Sequence, residues 1–131
     1  MTMTPTELVQ SLYQAFGRGD VAHILANLTP DCRWVAPGEG IPNAGVYTGP
    51  AEIVRFFETL GATENVTAFE PREFYASGDN VVALGYEAVT APATGKSAVT
   101  NWAMKFTVRD GKVSFFESFY DTSAYARAHQ K

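Results

Sequence analysis

Apolar and polar positions alternate most clearly in residues 99–121, which read VTNWAMKFTVRDGKVSFFESFYD. Apolar residues occupy every second position from Trp102 to Phe106, and another apolar run follows Asp110-Gly111. An Asp-Gly pair between two such runs favours a type I′ turn, because both central residues of that turn need positive φ. We therefore predict a long antiparallel hairpin in this stretch.

The second strand of this hairpin is apolar on both faces, with Phe115 and Phe119 on one side and Phe116 and Tyr120 on the other. A sheet with one face in water would carry polar residues on that face. Both faces are therefore predicted to be covered. Helices would cover one face and enclose a pocket, and a second copy of the protein would cover the other.

Three helices are predicted before the main run of strands. Thr4-Pro5-Thr6-Glu7 has the N-cap, the first-turn proline and the glutamate of a capping box, and it starts a helix that ends near Gly17. Asp20 caps a short second helix, which Thr29-Pro30 stops. Gly49-Pro50 opens a third helix, which ends at Gly61.

The remaining patterns predict strands at residues 32–36, 67–75 and 81–90, in addition to the hairpin. The Gly- and Pro-rich residues 38–45 show no periodicity and are interpreted as a flap over a pocket. The order α-α-β-α-β-β-β-β predicts one α+β domain over residues 1–131. Its curved antiparallel sheet would wrap around the helices as a cone, and residues 123–129 would add one helical turn or fray.

Composition narrows the classes of function. The chain has 131 residues, of which 46% are hydrophobic and 18% charged, and this suits one globular domain. The net charge of −4, with no run of Lys or Arg, argues against a nucleic-acid partner. No apolar stretch approaches about 20 residues, and the start does not resemble a secretory leader, so we expect a cytoplasmic protein with no membrane partner.

The residues that bind metals or cofactors in other proteins are sparse here. Cys32 is the only cysteine and has no neighbours at metal-ligand spacing, so we expect it to be a small buried hydrophobe. No Gly-rich loop follows a strand in the way that a phosphate cradle requires. The sequence therefore predicts neither a metal nor a cofactor.

With these elements, the chain resembles the nuclear transport factor 2-like superfamily, in its SnoaL-like polyketide cyclase and ketosteroid isomerase-like branches. The resemblance covers nearly the whole chain and rests on the order and spacing of these pieces: Tyr13 seven residues before Asp20; Trp34-Val35-Ala36-Pro37; Tyr47-Thr48-Gly49-Pro50; Gly78-Asp79-Asn80-Val81-Val82; and Trp102 through Asp110-Gly111 to Tyr120-Asp121-Thr122. It implies a cone with a deep, mostly apolar pocket and, usually, a homodimer formed through the outer face of the sheet. It leaves the function open, because this fold hosts several kinds of enzyme and also non-catalytic binding modules.

The resemblance to ketosteroid isomerases is incomplete at the catalytic positions. Those enzymes use a tyrosine and a protonated carboxylic acid as oxyanion donors, and a second carboxylate as the base. Tyr13 matches the tyrosine, but the base position holds Ala36 and the acid position falls at Ala103 or Met104. The usual isomerase dyad is therefore not expected, and the strand interiors also lack the Asp-Arg-Asp set of the superfamily's epoxide hydrolases.

Cyclases of the SnoaL type place an acid-base Asp, with a His, on the late strands. The last strand here carries Glu117 and ends in Asp121, but residues 99–108 contain no His. Either carboxylate is a candidate general base whose pKa an apolar cavity would raise. The competing interpretation places Glu117 on the dimer-facing side of the sheet and makes Asp121 the N-cap of the last helical turn.

Other candidate residues have both a functional and a structural interpretation. Tyr13 could donate to a ligand carbonyl or be a core aromatic residue that bonds to the backbone. Glu39 in the flap, His23 and His129 are expected to be solvated or satisfied by the fold. The candidate ligand-binding side chains, which would suit a flat apolar ligand, are Trp34, Phe56, Phe57, Tyr86, Trp102, Met104, Phe116 and Tyr120.

These observations leave three hypotheses. The first is a cofactor-free isomerase or cyclase that transfers a proton on a hydrophobic carbonyl compound, in which Tyr13 polarises the carbonyl and Glu117 or Asp121 is the base. The second is a non-catalytic binding or accessory protein, which Ala36 and Ala103 favour. The third is an oligomerisation module, whose own aromatic side chains would fill the pocket.

Overall fold

The structure, a computed structural model, describes residues 2–131 as four helices and one six-stranded sheet. In chain order the elements are α1 (Pro5–Gly17), α2 (Val21–Ala26), β1 (Leu28–Ala36), β2 (Gly45–Thr48), α3 (Pro50–Thr63), β3 (Asn65–Ser77), β4 (Asn80–Ala91), β5 (Lys96–Arg109), β6 (Lys112–Phe119) and α4 (Thr122–His129). The predicted α+β fold is confirmed.

The strands lie in the order β2-β1-β6-β5-β4-β3. Four of the five neighbouring pairs are antiparallel, but β1 runs parallel to β6. The sheet is therefore mixed, and the prediction of a purely antiparallel sheet is wrong at this one pair. β1 follows α2 after one residue, Asn27, and lies beside β6 of the hairpin in the same direction.

Local signals gave most of the element ends correctly. Thr4 and Glu7 form the complete capping box of α1, and the side chain of Asp20 accepts a hydrogen bond from the backbone of His23 at the start of α2. At the predicted hairpin turn, φ is 54° at Asp110 and 76° at Gly111, as a type I′ turn requires. The predicted hairpin of β5 and β6 is thus confirmed.

Two elements were missed or underestimated. β2 begins at Gly45, the last residue of the predicted flap, and is a strand of only four residues that pairs with Arg33 to Ala36 of β1. The C-terminal residues form α4, a helix of eight residues rather than the predicted single turn or frayed end. Both are short segments whose stability comes from packing, which the local pattern does not report.

The main core lies between the concave face of the sheet and helices α1, α2 and α3, and it includes Val9, Ile53, Val81 and Val113. A smaller cluster under α4 joins Ile41 of the flap to Val89, Ala98 and Tyr125. Within residues 2–131, no helix is both long and apolar enough to cross a membrane.

Candidate functional site

A cavity lies between α1, α3 and the concave face of the sheet. The space open to water molecules inside it is about 100 Å³. Since about 10–15 Å³ of such space holds one water molecule, the cavity has room for several waters. This open space contradicts the third hypothesis, in which the protein's own aromatic side chains fill the pocket.

The wall of the cavity is mostly aromatic. Trp34 stacks on Phe116 with ring centroids 3.9 Å apart, and Phe69 stacks on Trp102 at 5.2 Å. Seven of the eight predicted ligand-binding residues line the cavity: Trp34, Phe56, Phe57, Trp102, Met104, Phe116 and Tyr120. Their contact with a ligand stays a prediction.

Tyr86 is the exception. Gly85 and Glu87 flank it on β4, and Glu87 faces the cavity, so the alternation of the strand turns Tyr86 to the outer face. There the guanidinium of Arg72 lies 5.1 Å from the centre of its ring. The placement of Tyr86 in the cavity wall is therefore wrong.

Tyr13 marks the apolar part of the cavity. Its ring stacks on Trp102 and meets Phe106 edge-on, with centroids 5.7 Å away in both cases. Its hydroxyl donates to Sδ of Met104 at 3.1 Å. Burial raises the pKa of Tyr13 well above its usual value, so the phenol stays protonated and remains a donor.

The opposite part of the cavity contains a buried carboxylate. Glu87 faces inward from β4, and the hydroxyl of Tyr125 on α4 donates to its Oε1 at 2.6 Å. Desolvation, the largest effect, raises the pKa of Glu87 to about 7; the Tyr125 hydrogen bond lowers it and the charge of Glu64 raises it further. A carboxylate with this pKa can both take up and release a proton near neutral pH.

A second carboxylate, Glu64, borders the cavity at the C-cap of α3. Its Oε2 lies 2.7 Å from Nε2 of His129, and the two side chains are only 2% and 10% exposed. His129 comes from the last turn of α4. The fold therefore provides His129 with a hydrogen-bond partner, as expected, but that partner is a carboxylate that borders the cavity.

Several neutral polar groups complete this part of the wall: Asn43, Thr100, Ser118 and Tyr120. Thr100 is already engaged, because it accepts from the backbone of Asp121 and donates to the carbonyl of Asn101. Desolvation, with the charges of Glu64 and Glu87, raises the pKa of Tyr120, which keeps its hydroxyl protonated. Tyr120 is thus a neutral donor beside two acids.

Neither predicted base reaches the cavity. Glu117 lies opposite Lys105 on the outer face of the sheet, because Phe116 and Ser118 on either side of it point inward. Asp121 accepts from the backbone of Ala124 as the N-cap of α4. Its hydrogen bonds to Ser123 and Ala124 lower its pKa, which is the opposite of what a buried base needs. Both placements in the pocket are wrong, and the competing interpretation of Asp121 as a cap is confirmed.

The remaining residues that the sequence analysis considered have no catalytic partner among residues 2–131 of the structure. Ala36 and Met104 line the cavity, whereas Ala103 faces outward, so the position expected for the isomerase acid holds Met104. Glu39 is exposed. Cys32 is buried, and desolvation raises the pKa of its thiol to about 12. Among residues 2–131, no group of three or more His, Cys, Asp or Glu side chains is placed to hold a metal ion.

The acids that do face the cavity were missed in the sequence, although one signal was present. Val81, Ala83 and Val89 share the inward face of β4 with Glu87, which is the one charge in that alternating apolar row. A lone charge on the apolar face of a strand is the kind of exception that marks a site. Glu64 and His129 gave no comparable signal, since neither lies in a periodic apolar segment.

The comparisons with known proteins agree on one family. Residues 9–116 match the model of the SnoaL-like domain. A crystal structure of an NTF2-like protein from Burkholderia thailandensis is 34% identical, covers 99% of this chain and 100% of its own, and has a TM-score of 0.92. TerC co-crystallised with polyporic acid is 29% identical over 98% of this chain and 100% of its own, with a TM-score of 0.82.

A relative from Mycobacterium tuberculosis, an uncharacterised protein, is 27% identical over 115 residues, which are 87% of this chain and 86% of its own length. The family match therefore covers α2, α3 and strands β1 to β5 entirely and most of α1 and β6, and it ends before α4. The chain belongs to the SnoaL-like domain family, within the NTF2-like superfamily.

Proposed function

We propose that this protein binds a flat, aromatic carbonyl compound and transfers a proton next to the carbonyl group, with Glu87 as the general base. The observation that carries the proposal is the carboxylate of Glu87, which borders an aromatic cavity and has a pKa of about 7. A general base is most effective when its pKa is close to the working pH. Glu87 takes the role that was predicted for Glu117 or Asp121.

The class of ligand follows from the wall. The two stacked aromatic pairs that the sheet contributes to the wall favour a planar ring system, and the polar groups near Glu87 favour oxygen substituents on that ring. The co-crystallisation of TerC with polyporic acid supports a small-molecule ligand.

The reaction needs one base and one neutral donor. Glu87 takes the proton from the carbon beside the carbonyl, and the negative charge moves to the carbonyl oxygen as an enolate. The hydroxyl of Tyr120, which lies within the electrostatic reach of Glu87 and stays protonated, donates to that oxygen. Glu87 then returns its proton to the product, and the Tyr125 hydrogen bond keeps its carboxylate oriented.

Tyr13 has a second role in this proposal. Its hydroxyl donates to a thioether sulfur, a weak acceptor that a ligand oxygen can replace. Met104 lies four residues along β5 from Thr100, the strand partner of Glu87, and this is about 13 Å in an extended strand. Tyr13 would thus polarise a second oxygen at the far end of a planar ligand.

The test is deuterium exchange at the carbon between the carbonyl and the ring of 2-tetralone, followed by proton NMR in D₂O. We expect the wild-type protein to accelerate exchange and Glu87→Gln to lower that acceleration by about 100-fold or more. Glu117→Gln, the same change on the outer face, and Asp121→Asn, which keeps a capping side chain, are the matched controls and should exchange as wild type does. Equal rates for wild type and Glu87→Gln would exclude Glu87 as the base.

A non-catalytic binding protein is the second candidate, and Ala36 favours it, because a methyl group lines the cavity where an isomerase carries its base. Polyporic acid distinguishes the two, since it can be titrated by quenching of the fluorescence of Trp34 and Trp102. Quenching without any acceleration of exchange would leave the binding role alone.

We also propose that two copies of the chain associate through the outer face of the sheet. Four large apolar side chains on that face are more than half exposed: Val46, Tyr75, Val99 and Phe119. These side chains extend from β2 at one edge of the sheet to β3 at the other, so a second copy that covers them would lie across the whole outer face.

A further inference from the structure

We propose that Glu64 and His129 form a proton relay between the cavity and a separate depression on the outside of the protein. This inference rests on the proposed proton transfer and names the route by which that site exchanges its protons with water. It assigns no contact with the substrate to His129, which acts through Glu64.

The inner end of the relay is Glu64. Its carboxylate borders the cavity, and its charge contributes to the raised pKa of Glu87, so the two acids lie within electrostatic range of each other. With a side chain only 2% exposed, Glu64 is almost completely shielded from bulk water. The hydrogen bond to Nε2 of His129, at 2.7 Å, is its connection outward.

The outer end is His129. Its ring lines a depression of about 430 Å³ between the flap residues Gly40, Ile41 and Pro42, the end of α3 at Ala62 and Thr63, and Ala93. Of these lining residues, His129 is the one with a titratable side chain. Within residues 2–131, its Nδ1 has no hydrogen-bond partner, which leaves that atom open to a water in the depression.

An imidazole in this position can pass a proton without turning. Water in the depression protonates Nδ1 of the neutral ring, and the ring then gives its Nε2 proton to Glu64, whose carboxylate becomes a carboxylic acid. The ring is left as the Nδ1-H tautomer. A proton that travels outward from Glu64 to Nε2 releases the Nδ1 proton to water and restores the start, so inward and outward transfers alternate with no net charge moved.

A purely structural role explains the pair less well. Two nearly buried ionisable groups stabilise a fold no better than an apolar pair of the same size, because both must lose water. The end of α4 also has other attachments: the hydroxyl of Thr94 donates to the carbonyl of Ala128 at 2.6 Å, and Nζ of Lys96 donates to that of Gln130 at 2.7 Å. We therefore expect α4 to remain docked when His129 is replaced.

The test uses the same 2-tetralone exchange. His129→Ala and His129→Gln should each lower the exchange rate by about tenfold, because deuterium from the solvent reaches Glu87 more slowly. Gln can still donate a hydrogen bond to Glu64 but cannot relay a proton. Added imidazole should restore His129→Ala in a saturable way, since the outer depression can admit it. His23→Ala, a change of the only other histidine, is the matched control and should exchange like wild type.

The outcomes separate the two proposals. If Glu87→Gln has no effect, the proposed function fails and the relay with it. If Glu87→Gln is slow but His129→Gln exchanges as fast as wild type, the relay alone is overturned. Loss in both His129 variants without rescue by imidazole also overturns the relay, because a structural defect would explain it; thermal melting of each variant reports that defect directly.

Discussion

At the scale of single residues, the chemistry of the site comes from where a common side chain is placed. Glu87 and Glu117 are both glutamates on neighbouring parts of one sheet, but Glu87 faces the aromatic cavity and Glu117 faces outward beside Lys105. Loss of water is the largest cause of the raised pKa of Glu87, ahead of its hydrogen bond and the charge of Glu64. The side chain's surroundings, rather than its type, make it a base.

This placement predicts how stability depends on pH. The pKa of Glu87 rises from 4.5 to about 7 on folding, so the folded state prefers the neutral form. As pH rises from about 4.5, the unfolded chain loses its proton first, and the folded protein loses stability until about pH 7. The loss approaches about 3 kcal/mol of unfolding free energy above that pH.

Glu87→Gln is neutral at every pH and should escape this loss. Urea denaturation at pH 4.5 and at pH 8 should therefore show similar stability for wild type and variant at the lower pH, and a more stable variant at the higher one. Glu117→Gln controls for the removal of a carboxylate in general. A variant no more stable than wild type at pH 8 would contradict the raised pKa.

At the scale of elements, β4 and α4 bring the site together. The alternation of β4 turns Gly85 and Glu87 inward, and the cap at Asp121 starts α4 so that Tyr125 reaches Glu87. Gly85 lies directly opposite Trp102 on β5. The indole ring of Trp102 occupies the space that a side chain at position 85 would need, so this glycine is what allows Trp102 to lie flat in the cavity wall.

We predict that Gly85→Ala disturbs this wall. A Cβ at position 85 would lie 2.3 Å from Cζ2 of Trp102 and 2.5 Å from the carbonyl oxygen of Glu70, and the second of these is backbone that cannot simply turn away. Overpacking of this kind costs about 1–3 kcal/mol. Urea denaturation should show that loss, and the tryptophan emission of the folded variant should shift.

The matched control is Gly61→Ala in α3. No atom lies within 4 Å of the added methyl group, and alanine favours a helix, so this variant should be more stable by about 0.5–1 kcal/mol. If Gly85→Ala were as stable as Gly61→Ala, the close packing of Trp102 on β4 would be refuted.

At the scale of the whole molecule, the sheet has one covered and one open face. Helices α1, α2 and α3 cover the concave face around the cavity. On the outer face, Val99 and Phe119 are 57% and 51% exposed. The predicted dimer can therefore be tested by changing exposed side chains on this face.

We predict a dimer in solution that Phe119→Lys converts to a monomer, because two charges would be brought together in an apolar interface. Sedimentation velocity over a range of concentrations measures this. Met3→Lys, a change of a side chain 55% exposed at the N-terminus, is the control and should leave the dimer intact. A wild-type protein that stays monomeric at every concentration would refute the proposal.

The accuracy of each prediction depended on how far apart in the sequence the residues that determine the feature lie. The capping box of Thr4 and Glu7, the cap at Asp20 and the turn at Asp110-Gly111 were predicted, because each is decided by residues within about four positions. The aromatic wall was also largely predicted, since alternation along β5 and β6 already sorts their side chains into two faces. Tyr86 was assigned to the wrong face because its strand is apolar on both.

The sequence by itself determined the α+β fold, most element ends and the apolar character of the pocket, through local backbone preferences and the period of each element. The tertiary structure alone decided the pairs that carry the chemistry. Glu87 meets Tyr125 across 38 positions, and Glu64 meets His129 across 65. Such contacts depend on how α3 ends and where α4 docks, and the packing of the entire domain, rather than any neighbouring residue, fixes both.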